Sequence, residues 1–178
     1  MLLAVLLVIV AFLTLLLAGM SIYILAAFRN VVPAVFTPGE SLDRIVSELD
    51  LPEHGKIVDL GCGDGRVLAA VLRYRPELEA VGVENNPVVL GLAKVRLKGR
   101  AELRRGDLLK YDLKGCDRVF AYLGPEMMER LEPRMERELR PGARLVSQQF
   151  PLPYRKPDQV VELPGAKSYA RRLYVYDY

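Results

Sequence analysis

From Leu2 to Phe28 the chain carries no charged residue, and only Thr14, Ser21 and Tyr23 interrupt an otherwise apolar run. From Arg29 onward the pattern changes to short apolar runs that alternate between strand and helix periods. Leu42, Ile45, Val46 and Leu49 recur at helical spacing. Thr37, Pro38 and Glu40 ahead of them have the spacing of a helix start, with Thr37 as the cap. Strands are predicted over 56–61, 78–84, 117–123 and 143–150, with a weaker one over 101–107. Helices are predicted over 65–75, 86–98 and 125–140, the last bent or split at Pro133 and stopped by Pro141-Gly142. In the tail, 159–164 and 168–178 read as an antiparallel pair about the Gly165 turn. Strands alternating with helices predict a parallel sheet covered on both faces.

The uncharged segment is long enough to span a bilayer, for which about 20 apolar residues suffice. A cleaved signal peptide would need a basic start and a shorter core. Neither is present, so an uncleaved anchor is expected over residues 1–29, with Tyr23 and Arg29 as interface residues. A connector over 30–39 and a domain over 40–178 follow. The first basic residue lies after the span, so the positive-inside rule predicts a single-pass membrane protein with its C-terminal domain in the cytoplasm.

Composition changes this picture little. The net charge is +3, and the 25 Lys and Arg and 22 Asp and Glu all lie after Phe28. This mild balance does not argue for nucleic acid. Cys62 and Cys116 have no metal-site or disulfide spacing and read as free thiols. No metal is expected. His54, the only histidine, sits in a turn and is given no role. Lys94, Arg96, Lys98, Arg100, Arg104 and Arg105 form a basic cluster suited to a helix C-terminus, to solvent or to anionic lipid.

The candidate chemistry lies in "KIVDLGCGDGRV", residues 56–67. Gly61, Gly63 and Gly65 follow a strand and open a helix, which allows a tight turn and close approach of a ligand to the backbone. The third glycine comes one residue too early for the dinucleotide fingerprint, and no Lys-Ser/Thr pair follows to make a P-loop. Asp59 precedes the first glycine by two residues. Glu84 ends the next strand, where a carboxylate can accept hydrogen bonds from two ribose hydroxyls. Asp107 follows the third strand.

This D-x-G-x-G-x-G arrangement resembles motif I of the class I S-adenosylmethionine-dependent methyltransferases. With "FTPGESLDRIVSEL", "VGVENNP", "GDLLKYDL", "YLGPEMM" and "SQQFPLP", the chain over roughly 33–164 resembles the lysine methyltransferases of the ATP synthase c subunit and the adenine nucleotide translocase, with their prokaryotic relatives. The resemblance implies a Rossmann-like class I methyltransferase, with a mainly parallel seven-stranded sheet and a C-terminal antiparallel hairpin, preceded by one N-terminal transmembrane helix. It implies S-adenosylmethionine as cofactor, with Asp59, Gly61, Gly63 and Gly65 at its methionine end, Glu84 at the ribose and Asp107 at the adenine. Tyr122, Leu123 and Pro125 would lie beside the transferring methyl, with Tyr122 as the candidate catalytic residue. Glu126 and one of Gln148 and Gln149 are further candidates at the same edge.

The function expected is methyl transfer to a lysine of a membrane-associated protein, with the bilayer as a second partner and no nucleic acid. "PLPYRKPDQ" after the fifth strand leaves little room for a substrate lid, which suits a large acceptor. The alternatives are a small-molecule or lipid methyltransferase at the membrane and a non-catalytic cofactor-binding protein.

Overall fold

The computed structural model describes residues 2–29, 37–164 and 168–178. The chain divides into two compact units, Met1–Val35 and Phe36–Tyr178. Most of the expected connector and the Gly165 turn lie outside the described residues.

The N-terminal unit contains helix α1, Leu2–Arg29. The side chains described on it, Val5 to Ser21, are all exposed. Among the described residues no helix is long and apolar enough to cross a membrane. The transmembrane helix expected here is therefore not a finding of the structure, which gives an exposed apolar helix.

In the second unit the strands are β1 (Lys56–Leu60), β2 (Glu79–Glu84), β3 (Glu102–Arg105), β4 (Arg118–Ala121), β5 (Arg144–Gln148), β6 (Gln159–Glu162) and β7 (Arg172–Asp177). The helices are α2 (Leu42–Glu48), α3 (Arg66–Tyr74), α4 (Pro87–Leu97) and α5 (Pro125–Glu138). One sheet holds all seven strands in the order β3-β2-β1-β4-β5-β7-β6. β1 to β5 pair in parallel, and β7 runs antiparallel to both β5 and β6. The fold is thus a Rossmann-like, mainly parallel seven-stranded sheet with a C-terminal antiparallel hairpin, as the resemblance implies. Elements appear in the expected order, at most two residues shorter at either end except at the start of β7.

Strand alternation divides the apolar residues between two faces. Ile57, Phe120, Val146 and Leu173 face a layer made by α2, α3 and α4. Val58, Leu60, Val119 and Leu145 face Met128, Leu131 and Met135 of α5. The central strands are buried on both faces, which is why they read as continuous apolar runs rather than as alternation. Chain order reverses between β1 and β4, so the crevice beyond their C-terminal ends is the expected ligand site.

Three local expectations are revised. Thr37 does not cap α2. A 3-10 turn, Gly39–Ser41, leads into that helix without a side-chain cap, and the Thr37 hydroxyl is directed elsewhere. Helix α5 runs through Pro133 as one helix rather than splitting there. The tail strand β7 begins at Arg172, because residues 168–170 form a 3-10 turn.

Helix α5 also clamps the segment after β3. Arg134 donates to the carbonyls of Leu109 and Tyr111 and pairs with Glu138 at 2.6 Å. Glu138 in turn accepts from the Leu113 amide at 3.3 Å. The bond from Arg134 holds the Glu138 carboxyl down to about 2, against a partial opposing effect of burial. Replacing Glu138 with Gln should cost about 1–2 kcal/mol at neutral pH. A depressed carboxyl contributes fully above its ordinary value of 4.5, and its contribution is lost as pH falls through about 2. Urea unfolding of both chains between pH 7 and pH 2 should show the gap closing with acid; a gap independent of pH would refute the assignment.

Candidate active site

The loop after β1 is built by its glycines. Gly61, Gly63 and Gly65 have φ of 80°, 55° and 74°, a region that side-chain-bearing residues avoid. Space is limiting too. A Cβ on Gly61 would lie 2.9 Å from Leu123 Cδ2, and one on Gly65 would lie 2.8 Å from Leu97 Cδ1 and 3.2 Å from Ala93 Cβ. The loop is stapled to the end of β2. The amides of Gly61 and Cys62 donate to the Val83 carbonyl at 2.9 and 3.0 Å, and the Gly63 amide donates to Glu84 Oε2 at 3.1 Å. The other carboxylate oxygen, Oε1, accepts from the Asn86 amide at 2.8 Å. Asn86 then caps α4 by accepting from Val88 and Val89. Glu84 therefore shapes the loop as well as ending the strand. A carboxylate has about four lone-pair sites, so two remain for ribose hydroxyls.

Three carboxylates converge here. Asp59 lies on β1 and is 2% exposed, and no described residue donates a hydrogen bond to it. Burial pushes its carboxyl up to about 8, helped by the negative charges of Glu84 and Asp64. Asp64 is also buried but has two cations. Arg66 pairs with it through both nitrogens of a fork, at 2.9 and 2.8 Å, and Arg96 of α4 reaches it at 2.8 Å. Burial raises the Asp64 carboxyl, and Arg66 and Arg96 more than reverse this, so it lies below its ordinary value. Two N–H groups that could have faced a ligand are already engaged, because the Gly63 amide meets Glu84 and the Arg66 amide meets Asp64. The ligand-directed set is thus smaller than the glycine motif alone suggests.

Cys62, in the same loop, is buried, and burial together with Asp59 drives its thiol upward, which makes it unreactive. Cys116 is likewise free and buried, and pushed up to about 11. Asp107 stands after β3, exposed, and accepts from the Leu109 amide at 2.9 Å as the cap of a 3-10 turn. Arg134 fixes the carbonyls of that turn, so α5 sets the position of Asp107 indirectly.

Beside the loop, Tyr122 follows directly on the end of β4. Its hydroxyl donates to the Tyr169 carbonyl. The proton is therefore committed, and the oxygen's lone pairs remain to accept. Burial, with Tyr169 nearby, keeps the phenol above its ordinary value and so protonated at neutral pH. Leu123 leans over Gly61, and Pro125 starts α5. Glu126 is exposed on the first turn of α5. Gln148 is fully buried on the same sheet face as Phe120. It accepts from the Thr37 hydroxyl at 3.1 Å and donates to the Ala170 carbonyl at 3.5 Å. Gln149 has left the strand, with φ of 70°, and accepts from the Arg171 amide at 2.8 Å.

The structure thus gathers Asp59, the three glycines and Glu84 about one loop, and sets Tyr122 on the adjacent strand end. Pattern reading missed Asp64, Arg66, Arg96 and Thr37. Arg66 also donates to the Thr37 carbonyl at 2.8 Å, which links the glycine loop to the segment before α2. The one signal for Arg66 was its standing where a dinucleotide motif has its third glycine.

The model of the ANTKMT methyltransferase domain matches residues 59–159, which takes in the loop, both strand-end acids and Tyr122. The chain belongs to this family. It is an S-adenosylmethionine-dependent methyltransferase. It is 35% identical over 162 residues to the adenine nucleotide translocase lysine N-methyltransferase of Mus musculus, across 81% of this chain and 69% of that one. It is 31% identical over 150 residues to a protein-lysine N-methyltransferase of Saccharolobus islandicus, across 81% of this chain and 93% of that one. Among solved structures, an RNA methyltransferase from Salinibacter ruber in complex with S-adenosylhomocysteine superposes with a TM-score of 0.73 at 30% identity, covering 80% of this chain and 93% of that chain.

The residues of the family member fit its cofactor. A buried carboxylate with no donor among the described residues, Asp59, suits a ligand that is cationic or donates hydrogen bonds, and the glycine backbone leaves room for one. The affinity of the wild-type chain for S-adenosylmethionine should rise with pH through about 8, as Asp59 ionises. Asp59→Asn should bind about tenfold or more weakly at pH 9, a loss of about 1.4 kcal/mol or more, and should show no such pH step. Calorimetric titration at pH 6.5 and pH 9 measures both; an equal loss at the two pH values would show that Asp59 acts without its charge. Gly65→Ala should cost about 1–3 kcal/mol of stability through strain at φ of 74°, measured by urea unfolding without cofactor; no change would mean that the loop relaxes freely.

Proposed function

We propose that this methyltransferase modifies the side-chain amine of a lysine on a membrane-associated protein, and that helix α1, uncharged from Leu2 to Phe28, anchors it to the bilayer with the catalytic domain on the cytoplasmic side. The observation that carries the acceptor class is the pair of relatives named as lysine N-methyltransferases, at 35% and 31% identity over most of this chain. The acceptor edge is consistent with it. No helix stands between β5 and β6 among the described residues, so that edge is open to a macromolecular acceptor. The absence of charge from Leu2 to Phe28 supports the anchor.

When bound, S-adenosylmethionine supplies a methyl on a positive sulfur that leaves by in-line displacement. Alignment is then the main task of the protein. Gly61, Gly63 and Gly65 bring the backbone against the methionine end, Glu84 takes the ribose hydroxyls, and Asp107 stands towards the adenine. The attacking amine must be neutral, against an ordinary lysine value of about 10.4. Tyr122 can accept one of its N–H bonds, because its own proton is engaged by Tyr169. That contact orients the nitrogen lone pair. The surplus ammonium proton leaves to water before attack. Tyr122→Phe removes the acceptor and should lower kcat about tenfold, in line with one lost orienting bond of about 1.4 kcal/mol, with cofactor affinity unchanged. A drop in cofactor affinity instead would move Tyr122 from the acceptor to the donor side.

The acceptor class is tested by incubating the full chain with native membranes and methyl-labelled S-adenosylmethionine. Label is expected in protein, on methyl-lysine after acid hydrolysis. Label released by ribonuclease or extracted with lipid would overturn the lysine reading. A chain lacking Met1–Phe28 should keep cofactor binding and lose most methylation of native membranes; full activity there would sink the anchoring role.

A further inference from the structure

Helix α4 carries apolar residues on its outward face as well as on the face that the domain covers. Val89, Leu90, Ala93 and Leu97 are buried within the domain. Val88, Leu92 and Val95 point outward and are 68%, 53% and 75% exposed. At 3.6 residues per turn these three fall within an arc of about 60°. Gly91 borders the same stripe, with nothing near the place its side chain would occupy. A helix on the outside of a domain ordinarily sets polar residues on that face, and a contiguous exposed apolar patch marks an interaction site.

The rim of the stripe is basic. Lys94 and Lys98 flank it on one side and Arg96 on the other, with Arg105 at the end of neighbouring β3. Arg96 is engaged by Asp64. Lys94, Lys98 and Arg105 have no acidic partner among the described residues. No acidic residue lies between Pro87 and Ala101.

We propose that this outward face of α4 docks on a bilayer containing anionic lipid, with Val88, Leu92 and Val95 at the acyl boundary and Lys94 and Lys98 against headgroup phosphates. Branched aliphatic side chains with a lysine rim suit that occupant. Protein interfaces are enriched instead in aromatic residues and depleted of lysine, and α4 has no aromatic residue. The consequence is geometric. The α4 N-terminus follows directly on Glu84 and Asn86, so a docked α4 sets the cofactor loop at a fixed height above the lipid. The proposal rests on the membrane reading given above.

The test uses the full chain with Leu92→Cys. Cys62 and Cys116 are both buried, so a polarity-sensitive thiol fluorophore goes to the new site. A second chain carries Lys156→Cys, an exposed position on the α5 side of the sheet. On phosphatidylcholine–phosphatidylglycerol vesicles the probe at 92 should shift to the blue and resist iodide quenching, and the probe at 156 should do neither. The shift should be smaller on phosphatidylcholine alone. Adding Lys94→Glu and Lys98→Glu should lower the docking equilibrium roughly tenfold or more. A chain that sediments with the vesicles while the probe at 92 stays as quenchable as that at 156 overturns the docking face and leaves the anchor standing. A chain that remains in the supernatant overturns both. Shielding of position 92 only when a membrane protein is present in the vesicles would assign the face to protein and overturn the lipid assignment.

Discussion

The hydrogen bond from the Gly63 amide to Glu84 closes the loop after β1 onto the end of β2, and the rest of the site is arranged around it. The loop cannot take this path without positive φ at Gly61, Gly63 and Gly65. Once it does, α3 starts at Arg66, the Asn86 amide meets the other carboxylate oxygen, and α4 starts one residue later. One carboxylate therefore sets the positions of two helix N-termini and of the cleft between them. That cleft lies where chain order reverses across the sheet, which is the place an open parallel sheet leaves for a ligand.

Charge is distributed unevenly within this frame, and the unevenness has chemical use. Asp64 and Asp59 are both buried, but Arg66 and Arg96 neutralise only Asp64. Asp59 has no donor among the described residues and is pushed up to about 8, mainly by burial, so at neutral pH it is mostly protonated and takes up its charge only as pH rises or a positive ligand arrives. Arg66 also bonds the Thr37 carbonyl, and the Thr37 hydroxyl bonds Gln148 beside Ala170. The glycine loop and the end of β5 are thereby joined by a continuous run of polar contacts. Such contacts are strong in a buried setting, and each partner would be costly to leave alone.

Much of the fold was legible from the chain because its signals are local. The central strands are buried on both faces and give unbroken apolar runs, and the helices give 3.6-residue periods. The glycines stand where the backbone needs them, and Glu84 stands at a strand end. The reading of Thr37 as a helix cap failed for an equally physical reason. A threonine before Pro38 and Glu40 has the right local spacing, but a buried partner 111 residues away, Gln148, competes for the same hydroxyl. Pro133 was read as bending or splitting the helix, and α5 stays one helix through it. Pairing across the sheet and burial against both layers outweigh such local preferences.

By itself, then, the sequence determined the order of strands and helices, the glycine turn and its two strand-end acids, and the uncharged N-terminal segment. These depend on neighbours within a few residues. Only the tertiary structure decided which buried aspartate is neutralised, where the Tyr122 proton points, and that α4 leaves an aliphatic stripe uncovered. Those outcomes depend on groups brought together from distant parts of the chain, such as Asp64 with Arg96 or Tyr122 with the Tyr169 carbonyl. No local period records such a meeting, because packing alone selects the partner.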